Sequence, residues 1–138
     1  MIEDDLIITE RDFERVEALR PEGQLEKELE RALVVPDDEV PGSVVTMHSR
    51  VRYLDETIGL RREIQIVYPE QADLAEGKVS VLAPVGAALL GVSVGQTIEW
   101  RFPDGKLRKL RVEELLFQPE AHFAMRRKEG GTDASLST

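Results

Sequence analysis

Between Lys78 and Glu99 the chain runs for 20 residues without a charge: VSVLAPVGAALLGVSVGQTI, Val79 to Ile98. A bilayer-spanning helix needs a run of about that length, so this segment is either a membrane anchor or the heart of a globular fold. Its three glycines and one proline argue against a single spanning helix. Val79-Ser80-Val81-Leu82 reads as a short strand. Pro84 suits the first turn of a helix, where its missing N–H has no intrahelical partner. Val85 to Leu90 supplies nearly two turns, and Gly91 suits the position just past the end. Val92-Ser93-Val94-Gly95 then turns into the next strand.

Around this segment the periodicity is two. In SVVTMHSRVRY, Val45, Met47, Val51 and Tyr53 alternate with Thr46, His48, Arg50 and Arg52, which predicts one strand with a buried and a wet face. A turn at Gly59 leads to a second strand through Ile64, Ile66 and Tyr68, ended by Pro69. Ile98, Trp100 and Phe102 predict a third, Pro103-Asp104-Gly105 a hairpin turn, and Leu107 to Phe117 a fourth. In the fourth the alternation stumbles at Glu113-Glu114, as at a bulge. The reading is an α+β domain, an antiparallel sheet with one short helix across a face.

The first 40 residues are built differently. They hold 14 Asp/Glu against 5 Lys/Arg, while the rest of the chain is balanced, so the whole net charge of −9 sits there. Such a segment reads either as a plain solvated helical face or as a surface that repels nucleic-acid phosphates and is attracted to a basic protein surface or a metal-containing cleft. Thr9 suits a helix N-cap, with Asp12 placed like the acid of a capping box and Ile8 and Phe13 like a hydrophobic staple. Phe13, Val16 and Leu19 continue at helical spacing. Arg20-Pro21-Glu22-Gly23 breaks the run, and Leu25, Leu29 and Leu33 resume it. This predicts a helical hairpin, residues 10–20 and 23–34, with arms of about 15–18 Å at 1.5 Å per residue. Pro36 to Gly42 is a linker. The organisation expected is a hairpin and linker over 1–40, a domain over 41–125 and a disordered tail over 126–138.

Few residues carry chemistry. The chain has no cysteine and two histidines, His48 and His122, neither in a metal-binding pattern. There is no GxSxG, no phosphate-binding glycine loop and no aromatic stretch for stacking RNA. Glu17, Glu22 and Glu26 at the bend have the oxygen chemistry of a Mg²⁺ site, but Arg20 and Lys27 among them suit ordinary surface pairing. Leu82 to Gly91 is open to two readings, plain core or a small-residue apolar edge for docking.

An acidic helical hairpin, a Pro/Gly linker, GSVVTMHSRVRY and then APVGAALLGVSVGQ together resemble the Gre-type transcription factor family. Its carboxyl domain carries a pattern like S-P-x-G-x-A-L-x-G, and a short-fingered branch carries VVTMNSRV and APVGAALLG. The resemblance covers residues 41–120 and, in kind, the hairpin. It implies an FKBP-like carboxyl domain that binds RNA polymerase at the rim of its secondary channel. The side implied to dock is Leu82-Ala83-Pro84-Val85, extended here through Gly86 and Ala87. Gre factors carry an acid where this chain has Leu82, so one charged contact is absent. Their long coiled coil ends in paired acids that hold the catalytic Mg²⁺ during transcript cleavage. Here the finger is short, and its tip, Arg20-Pro21-Glu22-Gly23, offers one carboxylate.

The expectation is therefore a cytoplasmic, non-enzymatic regulator that docks on RNA polymerase, competes with Gre factors and does not stimulate cleavage. No metal, cofactor, membrane or sequence-specific nucleic-acid contact is expected. The competing reading, from the FKBP-like fold, is a peptidyl-prolyl isomerase. Binding to a nucleotide-metabolising enzyme is a third.

Overall fold

The computed structural model describes residues 6–125; the expected tail over 126–138 lies outside the described residues. The fold is a mixed α+β arrangement. A five-stranded sheet runs in the order β5 (Lys78–Ser80), β4 (Leu60–Val67), β3 (Arg50–Asp55), β7 (Leu107–Phe117), β6 (Thr97–Arg101). Only the β4–β5 pair is parallel; the other neighbours are antiparallel.

Because β5 and β6 occupy opposite edges, the chain between them must cross the sheet. That crossing is the uncharged segment, and its helix, α3 (Pro84–Leu89), is the span over the face. Pro84 takes the first turn as expected, and Gly91 follows the helix at φ +86°. Ala88 and Leu89 are fully buried, against a core that includes Val51, Ile66, Leu110 and Val112. No helix among the described residues is long and apolar enough to cross a membrane.

The stumble in the last strand is a register shift. Tyr53 pairs with Val112 whereas Arg52 pairs with Glu114, which skips Glu113; a second shift separates Val51–Leu115 from Arg50–Phe117. On the wet face Arg52 bridges Glu63 at 2.8 Å and Glu114 at 2.6 Å.

The segment before β3 departs from expectation. The strand begins only at Arg50, and residues 44–49 form a buried turn in which Val44, Val45, Thr46, Met47 and Ser49 are all enclosed. Ser49 N–H donates to the Thr46 carbonyl at 3.0 Å, and His48 takes φ +69°. Two-sided burial erases the alternation. Asp12 reaches this turn from the hairpin, and Glu120 reaches it from the helical residues that follow β7.

The hairpin is shorter than its spacing suggests. α1 is Glu10–Glu17 and α2 is Gln24–Arg31. Thr9 caps α1, accepting from Asp12 N–H at 3.1 Å. Asp12 does not close a capping box; its carboxylate accepts from Met47 N–H at 3.0 Å instead. The residues expected to extend α2 become a strand, β2 (Leu33–Val35), paired in parallel with β1 (Ile7–Thr9) at the hairpin root. Ile7 N–H donates to the Gly91 carbonyl at 3.1 Å. A side chain at Gly91 would meet Ile7 O and Leu6 Cβ at 3.1 Å, so this glycine admits the hairpin root. Val16, Leu25 and Leu29 are buried in one cluster with Met47 and Val45, so hairpin and sheet share a core.

Candidate functional site

The uncharged segment comes to the surface just before and at the start of α3, and again around Val94 to Thr97. Leu82 is 45% exposed, and Pro84 and Val85 are half-buried. A tight turn sets this edge. Ala83 N–H donates to the Ser80 carbonyl at 2.9 Å, and Leu82 N–H donates to Ser80 Oγ at 3.0 Å. Ser80 thus holds the turn through both its carbonyl and its hydroxyl and leaves the Leu82 side chain outside.

Gly86 and Ala87, grouped with this edge on sequence, lie under it. Ala87 is 6% exposed, and Gly86 is buried. A β-carbon on Gly86 would fall 2.2 Å from the Ser80 carbonyl oxygen. Glycine is required there so that α3 can seat on the end of β5. Ala87 lines the cleft beside this edge from below, and the more exposed side chains of the edge are Leu82, Pro84 and Val85.

The hairpin tip lies against the same edge. Arg20, Pro21, Glu22 and Gly23 line a cleft of about 630 Å³ together with Leu82, Pro84 and Phe102. The tip turns through two left-handed residues, Arg20 at φ +55° and Gly23 at φ +67°. It is tied down by Gln24, whose side-chain amide donates to the Arg101 carbonyl at 2.8 Å and accepts from Arg101 N–H at 3.0 Å. Because β6 is an edge strand, Arg101 has a free backbone pair on that side, and the primary amide matches it as a strand neighbour would.

A second groove, about 690 Å³, shares Pro84 and Phe102 with the first and is lined further by Tyr53, Ile64, Val79 and Val85. The Arg108 guanidinium sits 4.5 Å from the centre of the Phe102 ring. Leu74, 82% exposed, stands at its margin. The two clefts meet at Pro84 and Phe102, at the N-terminal end of α3, and their linings mix apolar side chains with Arg20, Glu22, Arg62, Glu63 and Arg101.

Among the described residues no three His, Cys, Asp or Glu side chains gather to hold a metal ion. His48 bonds Gln71 through Nε2 at 2.9 Å and stacks edge-on with Tyr68; His122 sits between Phe117 and Phe123. Asp12 is the perturbed carboxylate. Burial pushes its pKa up, and the bond from Met47 N–H offsets part of that. It belongs to the joint between hairpin and sheet, away from the exposed edge.

Two residues that fix the hairpin on the sheet, Gln24 at the tip and Asp12 at the joint, were not anticipated in these roles. Gln24 has no signature, because an amide side chain that pairs with a distant backbone looks like any polar helix residue. Asp12 did carry a signal, its place three residues after Thr9, but that signal suggested a local bond.

Comparison with known proteins gives a consistent picture. The model of the family "Transcription elongation factor, GreA/GreB, C-term" matches residues 40–116. The "Regulator of nucleoside diphosphate kinase" (Rnk) of Escherichia coli K12 is 40% identical over 84% of this chain and 92% of its own length. The "Transcription elongation factor GreA" of Clostridium beijerinckii is 39% identical over 59% of this chain, but the match spans 51% of that factor. Among solved structures, a GreA/GreB factor from Nitrosomonas europaea superposes with a TM-score of 0.63 at 39% identity, covering 82% of this chain and 98% of that one. The family suggested by VVTMHSRV and APVGAALLG is therefore established: this chain belongs to the GreA/GreB transcription elongation factor family and is similar to Rnk over most of its length.

Proposed function

We propose that this protein docks on RNA polymerase at the rim of the secondary channel through the Leu82-Pro84-Val85 edge, and that it excludes longer-fingered Gre factors without stimulating transcript cleavage. Family membership supports the polymerase as partner. The observation that carries the rest is the hairpin. Its helices have eight residues each, about 12 Å at 1.5 Å per residue. Its tip lies against the platform, and one carboxylate, Glu22, stands there. A short arm folded onto its own domain can occupy a doorway but cannot deliver paired acids to a distant metal.

The test is co-purification with core polymerase, followed by cleavage assays on backtracked complexes. The protein should bind, suppress GreA-stimulated cleavage and stimulate none itself. Absence of binding removes the proposal; robust cleavage removes its negative half. Leu82→Arg and Pro84→Glu should each weaken binding about tenfold or more, as loss of an apolar anchor does. Glutamate is favourable in a first helical turn, so Pro84→Glu tests the edge and leaves α3 intact.

The groove lined by Tyr53, Ile64 and Phe102 favours a second reading, prolyl isomerisation. Fold alone does not carry an activity. Catalysed isomerisation of a proline peptide by the purified protein would support it.

A further inference from the structure

The hairpin is a short arm of two eight-residue helices. Its tip forms one side of the cleft at the docking edge, so it has a place in the surface itself. We propose that the hairpin tip is the second wall of the docking surface, and that Gln24 is the positioning residue that holds this wall in register with Leu82 and Pro84. This rests on the polymerase-docking reading and names what its surface contains.

Three observations support it. First, Arg20 and Glu22 share one cleft with Leu82, Pro84 and Phe102, so a segment seated against the edge meets both walls. Second, beside the buried Leu25, the Gln24 side chain ties the tip to the sheet through two bonds of opposite polarity to one residue, Arg101. Paired bonds of that kind fix orientation as well as distance. Third, Leu82 stays 45% exposed with the tip in place. The tip borders the edge and does not cover it.

The occupant that fits is a protruding apolar segment of the polymerase, with its apolar side chains toward Leu82, Pro84 and Phe102 and its polar margin toward Arg20 and Glu22. A wall already in place spares the ordering cost that a loose one adds on binding.

The test uses the full-length protein and core RNA polymerase with two variants, Gln24→Ala and Gln24→Glu. The glutamate keeps the acceptor for Arg101 N–H and loses the donor to the Arg101 carbonyl. Amide exchange at Arg101 is measured in the free protein, and dissociation from core polymerase is measured for the folded complex. Gln24→Ala should raise exchange at Arg101 and speed dissociation roughly fivefold, the scale set by two exposed hydrogen bonds. Gln24→Glu should fall between it and the wild type in both readouts.

A purely structural role for Gln24 would leave dissociation unchanged while exchange rises, and that result overturns the inference but spares the docking reading. Unchanged exchange overturns it too, because the clamp would not be holding the tip. Slower dissociation of Gln24→Ala overturns it in the other direction, with the tip obstructing the edge. If the wild type itself fails to bind, the docking reading fails and takes this inference with it.

Discussion

The two ends of the hairpin are held by different physics. At the root, β1 and β2 pair and Ile7 bonds the Gly91 carbonyl; along the arms Val16, Leu25 and Leu29 sink into the core of the sheet. At the tip, two hydrogen bonds from Gln24 meet an edge strand, and Arg20 occupies a left-handed conformation that most residues avoid. Strand pairing at the root and burial along the arms set the stability of the hairpin, and an exposed polar clamp sets the geometry of the tip. Mutations at the root and along the arms should therefore be read in stability, and mutations at the tip in binding.

The largest effect is expected along the arms. Leu29→Ala should cost about 3 kcal/mol, the middle of the range for a buried leucine, measured by denaturant unfolding. A cost below about 1 kcal/mol would mean that the hairpin is only loosely attached.

Asp12 sharpens the same side of the comparison. Asp12→Ala leaves Met47 N–H buried without its acceptor and should cost about 1–3 kcal/mol. Asp12→Asn keeps an acceptor and removes the buried charge, so it should stay within about 1 kcal/mol of the wild type. The pH dependence follows from the direction of the shift. Burial raises the folded-state pKa above the unfolded value, so the folded state holds the proton more tightly. The stabilising contribution is full below the unfolded carboxylate range and is lost as pH rises through the raised folded value. The wild type should thus gain stability relative to Asp12→Asn as pH falls from neutrality towards about 4. Glu120 and Asp37 face the same carboxyl and push in the same direction.

The smallest effect belongs to the tip. Arg20→Gly relieves the left-handed backbone and should stabilise by about 0.5 kcal/mol, part of the gain being offset by a freer unfolded chain. Destabilisation would show that the Arg20 side chain, not its backbone, holds the turn.

The parts legible in the sequence were those governed by local rules. Pro84 at a helix start, Gly91 after its end, the Pro103-Asp104-Gly105 turn and the alternation of Ile98, Trp100 and Phe102 each report on their own neighbours. Residues 44–49 misled because alternation assumes one wet face, and the hairpin and the residues after β7 close over that turn. Leu25 and Leu29 revealed an apolar stripe but not its cover. Gly86 illustrates the same limit, since its burial shows only when Ser80 O is seen 2.2 Å from a β-carbon placed on it. What was missed depends on contacts distant in sequence, such as Gln24 with Arg101.

The proposed function requires that the hairpin stay folded on the platform when the protein acts. The chain contains no cysteine, so Glu22→Cys at the tip and Glu99→Cys on β6 would be the only sites for spin labels. The tip-to-sheet distance measured between them should be short and unchanged between the free protein and its complex with core polymerase. A longer distance on binding, with the tip lifted away from β6, would contradict the account.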